Sequence, residues 1–292
     1  MSTNAAARPR RSVLYMPGSK PRALEKARSL PADCLILDLE DAVPPGEKET
    51  ARDTVAQAVR DGGYGAREVV IRINGLDTEW GAADLASAAA CGPDAILVPK
   101  VSTAQMVRDI AGQIGDGPAL WAMMETPLGM LNAAEIAGAS PRLACMVMGT
   151  NDLVKELGAH HTPNRTPVMT GLGLCLLAAR AHGLAILDGV YNAFKDDEGL
   201  RAECGQALEM GFDGKTLIHP AQIAVTNQVF APTEDEIATA RRQVEAFAKV
   251  QAEGQAVAVV DGKIVENLHV ETAKALIARA EAIALMEEGA TA

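Results

Sequence analysis

LWAMMETPLGMLNAAEIAGASPRLACMVMGTNDL, residues 120–153, decides how this chain is read. Two apolar runs, Leu120–Met124 and Cys145–Met148, each stop at a turn signal: Thr126-Pro127 after the first, Gly149-Thr150-Asn151 after the second. Short apolar runs bounded in this way read as strands buried on both faces, as in a parallel sheet covered by helices. A carboxylate follows each run, Glu125 at once and Asp152 after a short loop. Two acids delivered to the same ends of neighbouring parallel strands, with no Cys or His beside them, suit the hard cation Mg2+. Taken singly, each has a plainer reading: Glu125 as a charge at a strand end, Asp152 as the N-cap of a helix Leu153–Leu157.

Outward from this stretch, similar runs recur at Ser12–Met16, Cys34–Leu39, Val69–Ile73, Ala95–Val98, Ala185–Leu187 and Thr216–Ile218. Between them lie segments with helical periodicity: Glu47–Arg60, Trp80–Cys91, Thr103–Ile114, Gly129–Ala137, Leu172–His182 and Glu198–Met210. Eight β-then-α units predict an α/β fold, a (β/α)8 TIM-type barrel, and 292 residues suffice for it. Chemistry in such barrels is built at the C-terminal strand ends. Those positions hold Pro17-Gly18, Glu40-Asp41, Arg72 and Asn74, Lys100, Glu125, Asn151-Asp152, Asp188 and His219. An open doubly wound sheet would instead gather such groups at one switch point, and no GxGxxG follows the first run.

Beyond His219 the character changes. Glu234–Ala252 reads as an amphipathic helix, Ala256–Val260 and Lys263–Val265 as a hairpin joined by Asp261-Gly262, and Val270–Glu288 as a last helix. The expected organisation is a flexible arm (1–10), a catalytic barrel (11–230) and a C-terminal extension of helix, β-hairpin and helix (231–292). A hairpin alone is marginal in water, so the extension should pack on its own barrel or on a neighbouring subunit.

A net charge of −11 with no basic run argues against nucleic acid as a partner, although local Lys and Arg can still build an anion pocket. The scattered cysteines, 34, 91, 145, 175 and 204, have no CxxC spacing and read as reduced core residues of a cytoplasmic protein. MSTNAAARPRR lacks an apolar segment after it, and no apolar run is long enough to cross a membrane.

Around one mouth the barrel reading gathers Arg11, Arg72 and Lys100 with Glu40, Asp41, Glu125 and Asp152. Arg72 suits a two-pronged grip on a substrate carboxylate, or a buried ion pair with Asp38, Glu40 or Asp41. Lys100 is either a Schiff-base nucleophile or a charge partner; so many acids nearby would keep its pKa high, which favours the partner. His219 before Pro220 reads as structural rather than as a base, and His160-His161 as loop residues rather than metal ligands. A metal and an arginine clamp, without a nucleophilic triad, favour enolate chemistry on a 2-oxo acid.

The motifs RSVLYMPGSKPRALEKA (11–27), LILDLEDAV (35–43), VVIRINGLDTEWG (69–81), AILVPKV (95–101), METPLG (124–129), MGTNDLVKELG (148–158), DGVYNAFKDDEGL (188–200), GFDGKTLIHPAQI (211–223) and DGKIVENLHVETA (261–273) cover most of the chain. Together they resemble the citrate lyase beta-subunit family, also called the HpcH/HpaI aldolase family, which includes malyl-CoA and citramalyl-CoA lyases. The resemblance implies a TIM-type barrel, Mg2+ at Glu125 and Asp152, and substrate carboxylate binding at Arg72, with Lys100 and Glu125 beside the substrate. It implies a coenzyme A thioester whose phosphates and pantetheine arm lie near Ser19, Lys20, Arg22 and Lys26. Without the resemblance, Arg22 and Lys26 read as a solvated i,i+4 helix face.

Relatives of this kind form homotrimers or homohexamers in which the tail reaches a neighbour's barrel and supplies an acid/base Asp. Here Glu266 stands at that position, with Asp261 and Glu271 nearby. The expected activity is a Mg2+-dependent, reversible cleavage of malyl-CoA or citramalyl-CoA into acetyl-CoA and a 2-oxo acid. Glu40 and Asp41 would orient metal-bound water or Arg72, and Glu266 would shuttle the proton. The alternatives are a malyl-CoA thioesterase, a citrate lyase beta subunit active only within a larger complex, and an aldolase on free 2-oxo acids.

Overall fold

Eight short strands close on themselves in the computed structural model, which describes residues 8–291. They are β1 (Ser12–Pro17), β2 (Cys34–Asp38), β3 (Glu68–Arg72), β4 (Ala95–Val98), β5 (Ala119–Met124), β6 (Leu143–Met148), β7 (Ala185–Asp188) and β8 (Gly214–Leu217). Every neighbouring pair is parallel, and β8 closes on β1 with Lys215 opposite Ser12. The expected TIM-type barrel is what forms.

Period-two alternation explains the quoted stretch. One cluster of buried side chains contains strand residues alone, among them Val13, Ile36, Val70, Leu97, Trp121, Met123 and Val147, and fills the barrel. The alternate residues, such as Leu14, Leu37, Ile71, Ile96, Ala122, Met124 and Met146, pack outward with helix residues Leu24, Val55, Ile110 and Leu172. Both faces are dry, so the strands read as unbroken apolar runs. Trp121, fully buried, is the largest interior side chain; truncating it to Ala would cost about 3–5 kcal/mol.

The floor of the barrel is sealed by ion pairs. Arg10 meets Glu68 at 2.6 Å and Arg11 meets Asp33 at 2.9 Å. Arg11 precedes β1 and so lies at the end opposite the mouth, which corrects the expectation that it joins the acidic cluster.

Local departures have local causes. The expected helix 129–137 is two short ones, Pro127–Leu131 and Ala133–Ala137, broken at Asn132, whose amide donates to the Ser102 carbonyl at 2.8 Å. The helix after β6 spans Thr150–Glu156 with Gly149 as N-cap, so Asp152 sits in its first turn and is not the cap.

From Ala231 onward the chain forms a separate unit. Helix Glu234–Ala252 opens on a capping box of Thr233 and Glu236. Strands β9 (Ala258–Val260) and β10 (Lys263–Val265) pair antiparallel across Asp261 and Gly262. Both turn residues have positive φ, 49° and 75°, as a type I′ turn requires. Helix Asn267–Thr291 follows, and Phe247, Ala258, Val265 and Val270 form the unit's own core. Residues 1–7 of the expected arm lie outside the described residues, while Arg10 is buried. All five cysteines are buried, and none is in a disulfide among the described residues. Among the described residues, no helix is long and apolar enough to cross a membrane.

Candidate active site

Inward-facing positions at the strand ends carry the site. Asp38 and Arg72 close β2 and β3 as register partners, so their side chains meet at the mouth. Arg72 Nε and Nη2 donate to the two Asp38 oxygens, each at 2.6 Å. Its Nη1 lies 2.9 Å from Glu40 Oε2 and 3.2 Å from Asp41 Oδ2, and the guanidinium stands 4.8 Å from the Tyr15 ring centre. Burial opposes the charge on Arg72, but Asp38 outweighs it, and the group stays cationic. Asp38 also accepts the backbone N–H groups of Glu40 and Ala42, at 2.9 Å each, and so shapes the loop that presents Glu40 and Asp41.

A buried lysine holds that loop from behind. Lys48 Nζ donates to the carbonyls of Leu39 (3.0 Å) and Glu40 (2.9 Å) and to Asn74 Oδ1 (2.6 Å). Asn74 is fixed in turn by Asp84 Oδ2 at 2.6 Å.

Glu125, just past β5, is buried, and one of its oxygens accepts the Lys100 backbone N–H at 2.8 Å. Lys100 adopts a left-handed φ of 51° there, a conformation uncommon outside glycine. A side chain at position 149 would collide with the Glu125 carboxylate, so glycine is required where β6 ends. Glu125, Asp152, Asp38, Asp41 and Arg72 line one cavity of about 310 Å³, with Met123, Met148 and Thr150 forming less polar wall.

Charge is not balanced in this cavity. Burial, then Glu40 and Asp152, push the Glu125 carboxyl up to about 8. Burial also pushes Glu40 up to about 7, with Asp41 and Asp38 adding to the effect and Arg72 and Lys100 opposing it. Lys100 is held above its ordinary value: burial acts against the cation, and Glu40, Asp152, Glu125 and Asp41 outweigh it. That direction suits a charge partner and not a Schiff-base lysine. No cluster of three or more His, Cys, Asp or Glu fit to hold a metal occurs among the described residues. Two carboxylates over an electron-rich cavity are nevertheless a fitting donor set for Mg2+, which keeps several waters and takes further oxygens from its substrate.

A family model described as HpcH/HpaI aldolase/citrate lyase matches residues 11–220. The chain belongs to the HpcH/HpaI aldolase/citrate lyase family. It is 62% identical to a (3S)-malyl-CoA thioesterase of Cereibacter sphaeroides over 278 residues, covering 95% of this chain and 97% of that protein. It is 38% identical to the citrate lyase subunit beta of Escherichia coli over 291 residues, 96% of each chain. A crystal structure of protein CitE from Mycobacterium tuberculosis in complex with magnesium, acetoacetate and coenzyme A is similar with a TM-score of 0.77 at 29% identity, covering 94% of this chain and 99% of that one.

Other residues singled out in the HpcH/HpaI motifs lie apart from the cavity lining. Ser19 and Lys20 follow β1, and Arg22 and Lys26 are exposed on helix Pro21–Ala27. The Ser19 hydroxyl is buried without a partner, and Lys20 lies 3.5 Å from Glu47. In the tail unit, the Glu266 backbone N–H donates to His269 Nδ1 at 3.0 Å, while its carboxylate is exposed and unpartnered among the described residues. Asp261 pairs with Arg242 and Glu271 with Lys274.

Two strand-end residues do other work. His219 caps the turn Pro220–Gln222, with Nδ1 accepting the Ala221 N–H at 3.2 Å, and its ring stacks 4.5 Å from Phe194. Asp188, expected at the mouth, points through the barrel wall instead, 2.7 Å from both Arg165 and Lys215. Reading the run as Ala185–Leu187 hides this: the strand includes Asp188, which shares the outward face of Ile186. Lys48 and Arg165 escaped the sequence reading because neither sits at a strand end.

Proposed function

We propose that this chain is a Mg2+-dependent thioesterase acting on (3S)-malyl-CoA. The observation that carries the reading is its 62% identity, over nearly the full length of both chains, to proteins of that name. The cavity agrees with it, since it offers oxygen ligands for a metal, a cation for a carboxylate and an acid that titrates near neutrality.

Glu125 and Asp152 hold the ion, and Arg72 binds the free carboxylate of the malyl group from the side where Glu40 and Asp41 now face it. Bound there, Mg2+ supplies a Lewis acid that draws electrons from a substrate oxygen. Glu40, shifted to about 7, accepts a proton from water as the water oxygen bonds to the thioester carbonyl carbon. The carbon–sulfur bond then breaks, and the proton passes to the coenzyme A thiolate, leaving malate and free coenzyme A. Lys100 steadies the acids, and Ser19, Lys20, Arg22 and Lys26 receive the coenzyme A phosphates. Glu266 covers a neighbouring subunit's mouth in a homotrimer or homohexamer; a glutamate at a position where the lyases carry Asp fits a chain released from carbon–carbon cleavage.

Reversible cleavage to acetyl-CoA and a 2-oxo acid, the reaction the motifs alone favour, is the second reading, supported by the likeness to citrate lyase subunit beta and to CitE. Purified chain incubated with (3S)-malyl-CoA and Mg2+ separates them. Malate and free coenzyme A are expected; glyoxylate and acetyl-CoA would replace the thioesterase reading with the lyase one.

A further inference from the structure

Arg72 has most of its guanidinium committed within the protein. Nε and Nη2 donate to the two oxygens of fully buried Asp38, and the Tyr15 ring stands over the group at 4.8 Å. Nη1 is the one nitrogen left for the cavity, and its approaches are taken as well. Glu40 Oε2 lies at 2.9 Å, Asp41 Oδ2 at 3.2 Å and Met123 Sδ at 4.0 Å. The two-pronged grip that arginine can offer a carboxylate is therefore spent on Asp38. Even a single-pronged contact at Nη1 requires a resident oxygen to leave.

The two acids are held differently. Glu40 is fixed through its backbone: its N–H donates to Asp38 Oδ1, and its carbonyl accepts from Lys48 Nζ and from the Val43 N–H. Its side chain is only 14% exposed. Asp41 is the second residue of the turn Glu40–Val43, and its side chain is 73% exposed. Among the described residues its carboxylate has a single hydrogen bond, the one from Arg72. An exposed ion pair of this kind is weak and screened by salt. Rotation about the Asp41 side chain carries that carboxylate into solvent. It vacates a place on the cavity wall from which a carboxylate oxygen demonstrably reaches Nη1.

We infer that Asp41 is a specificity residue, a built-in stand-in for the free carboxylate of the substrate that this carboxylate displaces from Arg72 Nη1. The inference rests on the reading of Arg72 as the site of the malyl carboxylate and does not require thioester hydrolysis. An acyl group without a carboxylate has nothing to exchange for the Asp41 contact, so Asp41 stays on Arg72. The test is calorimetry of the full chain in saturating Mg2+ with two probes. One is L-malate; the other is 3-hydroxybutyryl-CoA, with a methyl group where malyl-CoA has its free carboxylate. Asp41→Asn keeps the shape and removes the competing charge. It should tighten L-malate about fivefold, the upper worth of an exposed ion pair, and leave 3-hydroxybutyryl-CoA unchanged. Asp41→Glu, which restores a carboxylate, should lose most of that gain.

A crystal of the malate complex should place a malate oxygen at Nη1 with Asp41 turned to solvent. Unchanged or weaker malate binding in Asp41→Asn, an equal gain for both probes, or a complex in which Asp41 still contacts Arg72 would each overturn the inference. Malate that binds neither the parent chain nor Asp41→Asn would overturn it together with the carboxylate reading of Arg72. The malate-selective gain in a chain that does not hydrolyse (3S)-malyl-CoA would retire the thioesterase reading and leave the role of Asp41 standing.

Discussion

Two charge clusters lie on opposite sides of the barrel wall, and they are built differently. Behind β7 and β8, Asp188 and Glu203 face Lys215 and Arg165, acid for base. At the mouth, five acids, Asp38, Glu40, Asp41, Glu125 and Asp152, outnumber the cations Arg72 and Lys100 that face them and Lys48 behind their loop. Burial pushes carboxyl groups upward in both. In the wall, Lys215 and Arg165 overcome it and hold Asp188 below its ordinary value, whereas at the mouth Glu125 and Glu40 rise to about 8 and about 7. Balanced charge holds elements together; unbalanced charge waits for a cation or a proton.

The contrast breaks most sharply at Glu125. Glu125→Gln should lower thioester turnover about a thousandfold, the order expected when a main electrostatic contributor to the transition state is lost. Its folded stability should hold or rise, since a frustrated acid is removed; a fall in melting temperature would show that the mouth is structural after all. The wall should behave in the opposite way. Asp188→Asn leaves fully buried Lys215 short of a partner and should cost about 3–5 kcal/mol in denaturant unfolding. Replacing Asp188 and Lys215 together with apolar residues should cost far less.

A pH series sharpens the comparison further. Glu125 binds its proton more tightly folded than unfolded, so between its ordinary value of 4.5 and about 8 it makes stability fall as pH rises. Glu125→Gln should flatten that slope. Below about 8, Mg2+ must displace this proton, so affinity should drop by about tenfold per pH unit of acidification, readable by calorimetry in buffers of different ionisation heat. Asp188 carries the other sign: its contribution is present above its ordinary value of 3.8 and lost as pH falls through its lower folded value. The smallest effect belongs outside both clusters. Arg22→Ala with Lys26→Ala should raise KM for the coenzyme A ester about tenfold through lost phosphate contacts, with kcat and melting temperature unchanged.

The barrel was legible because strands dry on both faces leave unbroken apolar runs, and Glu125 and Asp152 were legible because each follows such a run. Reading which way a residue faces demanded more than the runs supply. A strand longer by one residue sends Asp188 into the wall, and Arg11, one residue ahead of β1, belongs to the floor. Arg165 left no trace: it lies in the loop segment TPNRTP, and only the folded chain brings it to Asp188. The break at Asn132 was hidden too, because both short helices share one apolar rhythm.

The missing side chain at position 149 ties two sites on the gene to one another. A library that randomises this codon to reshape the acyl pocket should return glycine almost alone, because any larger residue evicts the carboxylate across from it. Variation there becomes tolerable only when codon 125 changes in the same clone, so the pair must be diversified jointly if substrate range is to be widened.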